Sequence, residues 1–256
     1  MANGKPTLHH LEDSQSQLTL WLLEELGIEY DLVIHKRVDN RSPPALKDVH
    51  PLGKSPTLVT PAGRVLAERS AIALWLVGSY DEGARFRIPA SSGAGAGGKE
   101  DDAVREDQLL SFGGATLAPM LMLKLIFGLL VRQAPALARP LIKGVRYALD
   151  RAFLDAELAT LFAYLDAQLV IAPTDSSAEE EGKVGEGKDR EWFMGTAEPT
   201  RVDFCLLWYV DWAMQWGWVD FDKYPRLKAF HARCTARPAW ERALEKGGGY
   251  NLKFWK

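Results

Sequence analysis

Cysteine is nearly missing: two residues in 256, Cys205 and Cys234, cannot make a disulfide framework, so a reduced, cytoplasmic setting is expected. Excess positive charge is missing as well. With 31 basic and 34 acidic residues the net charge is −3, which argues against a nucleic-acid or anionic-membrane partner. The opening Met1–Thr7 is polar and lacks an apolar core, so no secretory leader is expected. Long hydrophobic runs are scarce. The most apolar one, Leu117–Val131, is broken by Pro119 and Lys124, is too short to span a bilayer and reads as a buried helix. No internal repeat is found. The adjacent histidines His9 and His10, on a strand, would face opposite sides, so no metal site is expected.

What is present is ordinary globular material: 47% hydrophobic and 25% charged residues, enough for packed cores and incompatible with a disordered chain. Six acidic residues and three basic ones fall in 174–190, which leaves 28 of each sign elsewhere; this stretch reads as a solvated acidic loop. The Gly- and Ala-rich stretch 90–98 reads as a flexible connector. Before it, strand and helix patterns alternate: Thr7–Leu11, helix Ser16–Leu26 stopped at Gly27, Tyr30–Ile34, helix Pro43–Val49, a hairpin of Thr57–Thr60 with Arg64–Leu66, and helix Ala67–Tyr80. After it, helical patterns cover Asp101–Val131, Leu137–Gln168, Val202–Trp216, Tyr224–Ala236 and Pro238–Glu245. The organisation expected is an α/β domain over 1–82, a linker over 83–100, and an all-helical domain over 101–256 that carries the acidic loop.

Three short segments carry the chemistry. Ser14-x-x-Gln17 has the form of a capping box, which satisfies orphan N–H groups at a helix start. A hydroxyl at a helix N-terminus is equally able to stabilise an anion such as a thiolate. In His50–Pro56, Gly53 permits a tight turn and Ser55-Pro56 is an X-Pro bond compatible with a cis peptide; the segment reads either as a plain turn or as an edge on which an extended peptide pairs, with Lys54 holding a carboxylate. In Leu66–Ile72, Glu68 can accept from an ammonium group, while Arg69 and the helix start can hold a carboxylate. Together the three would grip a small zwitterionic peptide with a thiol. Trp208, Trp212 and Trp216 form an i, i+4, i+8 stripe that reads as core or domain interface, and Cys205 and Asp203 read as structural.

The segments HHLEDSQSQLTLWLLEELG, LKDVHPLGKSPTL, VLAERSAIALWL, SFGGATLAPMLMLKLIF, the Glu198–Asp203 helix start and YPRLKAFHARCTARPAWERAL, in this order, resemble the glutathione S-transferase family, and a fungal type in particular. The resemblance implies an α/β thioredoxin-like N-terminal domain plus an all-α C-terminal domain, a homodimer across the two domain types, and glutathione as co-substrate. It places Ser14 on the thiol-activating hydroxyl, Lys54 on the glycyl carboxylate, Ser55 and Pro56 beside the cysteinyl unit, and Glu68 at the γ-glutamyl end, with Gln15 nearby and either Arg69 or Ser70 on the γ-glutamyl carboxylate. This chain departs from the type at four positions. It has Gln15 and Leu18 in place of arginines, Arg69 in place of a serine, and Gly114 in place of a glutamate. The leading expectation is a glutathione-dependent transferase whose thiolate attacks an apolar electrophile seated against Phe112, Thr116 and Met120. Glutathione-dependent cis–trans isomerisation of a conjugated alkene, a role such specialised members take in fungal secondary metabolism, and a non-catalytic interaction module are the alternatives.

Overall fold

The computed structural model describes residues 4–88, 98–170 and 189–253, and of 98–101 the backbone alone. The two stretches expected to be connectors, 90–98 and 174–190, lie almost wholly outside the described residues. Four strands, β1 (Thr7–Leu11), β2 (Asp31–His35), β3 (Thr57–Val59) and β4 (Val65–Ala67), form one sheet in the order β2-β1-β3-β4. Strands β1 and β2 are parallel, Thr7 opposite Asp31, because helix α1 (Ser16–Leu26) makes the crossover between them. The other two pairs are antiparallel, and β3–β4 is a hairpin with Thr57 opposite Ala67. Gly27 ends α1 in the left-handed conformation at φ 65°, its N–H reaching the Leu23 carbonyl, as the position of that glycine predicts. Helices α2 (Ala45–Val49) and α3 (Arg69–Tyr80) complete the α/β half.

The remainder is helical: α4 (Gly98–Ser111), α5 (Ala118–Gln133), α6 (Arg139–Leu149), α7 (Asp155–Ala167), α8 (Arg201–Trp216), α9 (Pro225–Thr235) and α10 (Pro238–Gly247). Two π-helical turns, Phe112–Leu117 and Asp150–Leu154, join α4 to α5 and α6 to α7. The expectation of a buried helix over Leu117–Val131 is overturned. Within α5 only Leu121, Lys124, Leu125 and Val131 are buried, because the helix is apolar around most of its circumference while its neighbours cover one strip.

Helix α1 is shared between the two halves. The fully buried Trp21 stands 4.5 Å from the Phe204 ring of α8 and 5.6 Å from Trp240 of α10. Burying an indole of that size contributes about 4 kcal/mol. Behind it, Glu24 pairs with Arg242 at 2.9 Å, and Glu25 pairs with Arg237, which also reaches Glu198 at 2.7 Å. At the start of α8, Asp203 accepts the Thr200 N–H (2.6 Å), the Thr200 hydroxyl (2.8 Å) and the Phe193 N–H (2.9 Å). Burial pushes this carboxyl up to about 6, and the three donors oppose that rise, so it remains a carboxylate at neutral pH. Its role is structural, as expected.

Candidate active site

Ser14 sits where the chain leaves β1 and enters α1, only 6% exposed. Its hydroxyl donates to the Leu11 carbonyl at 2.8 Å and accepts the Ser16 N–H at 3.1 Å. The capping box with Gln17 does not form. Gln15 precedes the helix in helical backbone conformation without a side-chain cap, and the Gln17 amide is buried, its polar atoms unpartnered, against Gly247. Gln17 falls on the face of α1 that packs on α10, so it cannot reach back to the helix start.

The segment after α2 is laced onto β1. The Ser55 hydroxyl accepts the Leu11 N–H (3.0 Å) and donates to the His9 carbonyl (2.9 Å), while the Gln15 side chain donates to the Ser55 carbonyl at 3.5 Å. The Ser55–Pro56 peptide is cis. Gly53 has φ 58°, and a Cβ there would stand 2.7 Å from the Lys47 side chain, so the turn that presents Lys54 requires glycine. His10 is fully buried, its ring bonded to Ser16 Oγ at 3.0 Å and its pKa pushed down to about 4 by burial; His9 points the other way and meets His35 at 3.1 Å. Among the described residues no three His, Cys, Asp or Glu side chains are grouped to hold a metal ion.

Glu68 precedes α3 at φ 67°, a conformation that costs a glutamate about 1–3 kcal/mol and that collects at functional sites. Arg69 is 8% exposed and turns inward: its Cζ lies 5.1 Å from the centre of the Tyr209 ring, and Nε and Nη1 have no hydrogen-bond partner. Arg69 therefore does not face solvent. Arg69 and Ser70 line a cavity of about 120 Å³ together with Gln15, Glu68, Gly114, Cys205 and Tyr209. Burial pushes the Cys205 thiol and the Tyr209 phenol up, so both stay protonated and neither offers a nucleophile at neutral pH.

Next to it opens a cleft of about 480 Å³ that also touches Gln15, Glu68 and Tyr209. One wall is polar: Asp13, Ser14, Arg37, Ser42, Lys54 and Ser55. The opposite wall is apolar: Ala118, Met122 and Leu125 of α5, Trp208 and Trp212 of α8, and Leu252. The tryptophan stripe is thus not merely core. Trp208 and Trp212, 5.7 Å apart, face the cleft, and Trp216 stacks on Trp218 below them at 5.2 Å. Of the residues expected on the apolar wall, Phe112 packs on Tyr164 at 4.8 Å, Thr116 is exposed and Met120 is half-buried; none of the three lines the cleft. The π-helical turn at 112–117 shifts the helix phase, and a reading at 3.6 residues per turn misses that shift.

Several contributors went unread in the sequence, among them Asp13, Arg37, Ser42, Tyr209, Leu252 and the α5 residues Ala118, Met122 and Leu125. Tyr209 adjoins the tryptophan stripe, which was the available signal. Arg37, whose guanidinium donates to the Asp13 carbonyl at 2.9 Å, and Leu252 come from irregular segments with no pattern to find. Asp13 in turn accepts the Asn251 N–H at 2.6 Å, which ties the end of the described chain to the cleft.

Residues 14–77 match the family model described as glutathione S-transferase, N-terminal domain. Glutathione S-transferase 3 of Schizosaccharomyces pombe is 28% identical over 244 residues, which span 93% of this chain and 86% of that protein. Among solved structures, a glutathione S-transferase from Actinobacillus pleuropneumoniae superposes with a TM-score of 0.68 at 25% identity, over 98% of this chain and 97% of that one. A sphingomonad glutathione S-transferase complexed with glutathione superposes with a TM-score of 0.63 at 22% identity, over 94% and 98% of the two chains, a likeness of fold.

Proposed function

Because the chain belongs to the glutathione S-transferase family, we propose that the cleft binds glutathione with its thiol at Ser14 and directs the thiolate at an apolar electrophile. The observation that carries this reading is the two-sided cleft, with a hydroxyl, a lysine and a strained glutamate on one wall and two tryptophans on the other. In this arrangement Lys54 receives the glycyl carboxylate, the Ser55 backbone beside Pro56 pairs with the cysteinyl unit, and Glu68 accepts from the γ-glutamyl ammonium. The γ-glutamyl carboxylate falls to Arg69 and Ser70, with Gln15 between. Residues 1–82 supply the glutathione side and residues 101–256 the electrophile side.

The chemistry needs the sulfur as thiolate. A free thiol titrates at about 8.5, and each unit of depression requires about 1.4 kcal/mol of preferential thiolate stabilisation. Ser14 holds its proton on the Leu11 carbonyl, so donating to sulfur exchanges a neutral hydrogen bond of about 0.5–1.5 kcal/mol for a charged one of about 1.5–3. The net share is about 1 kcal/mol, and the α1 terminus adds about 0.3–1. Bound thiol is therefore expected to titrate at about 7–7.5, without the two arginines this type ordinarily has there. The thiol proton leaves to solvent, and the sulfur lone pair forms the C–S bond while a leaving group departs or a conjugated double bond accepts the electrons. If the adduct of a conjugated alkene expels the thiolate after rotation about the new single bond, the same site isomerises.

Calorimetry with glutathione, followed by mass spectrometry of products from a panel of apolar electrophiles and conjugated alkenes, tests the reading. Conjugates heavier by one glutathione are the expected outcome. Isomers of unchanged mass would assign the second route, and no heat of binding would show the cleft to be catalytically idle.

A further inference from the structure

Residues 118–149 contain five basic side chains, Lys124, Arg132, Arg139, Lys143 and Arg146, and no acidic one, within a chain of net charge −3. Lys124 and Arg146 pair with the next residue, Asp150, at 2.9 and 3.4 Å, so the exposed cations of this segment are Arg132, Arg139 and Lys143. The global balance conceals this segregation. The same residues form helices α5 and α6, which pack on each other, with Arg146 lying over Gly128. On α5 the apolar Met122, Ile126 and Leu130 recur at every fourth position and are exposed. The turn after it carries Leu137, 99% exposed. Helix α6 buries none of its residues, and Leu141 (74%) and Val145 (58%), again four apart, stand in water beside the exposed Lys143 and Arg139. A single exposed leucine needs no explanation, but two aligned stripes on paired helices joined by an exposed turn do.

We propose that the α5–α6 face docks peripherally on an anionic lipid bilayer surface. A helix with apolar residues on one side and cations beside them is the form that lies in the plane of a bilayer, its side chains entering the acyl boundary and its lysines and arginines meeting lipid phosphates. A second copy fits less well: α5–α6 set against its own counterpart would place cations against cations, and a dimer across the two domain types has other exposed apolar residues to use, Val65, Leu74 and Val104. The helical stretch Asp102–Gln133 is long and apolar enough to cross a membrane by length and composition, but the pairing of its central lysine favours a peripheral contact. Lys124, in the middle of α5, is buried and paired with Asp150 at 2.9 Å and Asp155 at 2.5 Å, which fixes α5 in the helical bundle. Met122 belongs both to this face and to the cleft, so the lipid surface borders the apolar wall of the site.

The test is co-sedimentation of the full chain with vesicles of phosphatidylcholine alone and of phosphatidylcholine with about 30% phosphatidylserine. The wild type is expected to partition into the anionic vesicles at least about tenfold better than into the neutral ones, and added salt should weaken that partition. Lys143→Glu should lower it by about tenfold, and the double variant Leu141→Asp, Val145→Asp should abolish it, both with unchanged circular dichroism and glutathione affinity. Failure of wild type to sediment with either vesicle would overturn the proposal, as would anionic binding that all variants retain. A double variant that keeps vesicle binding but loses self-association would instead assign the face to a second copy. Glutathione affinity is read separately, so failure here leaves the function of the cleft untouched.

Discussion

Ser14 has one proton to give, and the structure aims it at the Leu11 carbonyl, 2.8 Å away. The hydroxyl can serve a sulfur anion only by turning, so its contribution is the difference between two hydrogen bonds. Arg69 presents the reverse situation: a guanidinium already buried, already beside the cavity, with two nitrogens unpartnered. A buried donor left unpaired costs about 1–3 kcal/mol, and a carboxylate ligand removes that cost while accepting from the planar fork. Arg69→Ala should therefore weaken glutathione by about 1.5–3 kcal/mol and reduce, without abolishing, the salt sensitivity of binding, since Lys54 still holds its carboxylate; calorimetry giving equal affinities would move the assignment to Ser70.

At the scale of elements, the π-helical turn at 112–117 decides which part of α5 faces the cleft. Gly113 lies on it in close contact with α8: a Cβ there would stand 2.7 Å from both Leu206 and Tyr209, whereas a Cβ on Gly114 meets nothing within 4 Å. Gly113→Ala should cost about 1–3 kcal/mol in thermal or denaturant unfolding and displace Tyr209 from the cleft, while Gly114→Ala should be silent in both. Equal effects would show that the contact between this turn and α8 does not set the site. The same turn marks the limit of what the sequence discloses. Strands, helices and the cap at Gly27 were legible because period and punctuation are local, and β2 came within one residue. The polar wall was legible because Ser14, Lys54, Ser55 and Glu68 sit at element ends. The apolar wall was not, since Phe112, Thr116 and Met120 follow from a regular helix that the chain does not make, and Arg37 and Leu252 come from segments without a period.

Over the whole molecule, charge and apolar surface are distributed unevenly in ways that composition averages away. The basic α5–α6 face is one instance. Another is the set of exposed apolar residues on the other side of the sequence, Val65 on β4, Leu74 on α3 and Val104 on α4, which supports the proposal of a homodimer pairing the α/β half of one copy with the helical half of the next. Sedimentation at micromolar concentration should show a species of twice 28.5 kDa, and Leu74→Arg should shift it toward monomer; a wild type that sediments only at 28.5 kDa would remove the dimer.

The central claim is that Ser14 stabilises the thiolate of bound glutathione, and the most direct measurement is the ultraviolet absorbance of that thiolate as a function of pH in wild type and Ser14→Ala. Wild type should titrate at about 7–7.5, and the variant about 0.5–1 unit higher, nearer to the free thiol at about 8.5. A wild-type thiol that titrates at about 8.5, or a variant indistinguishable from wild type, would contradict the account.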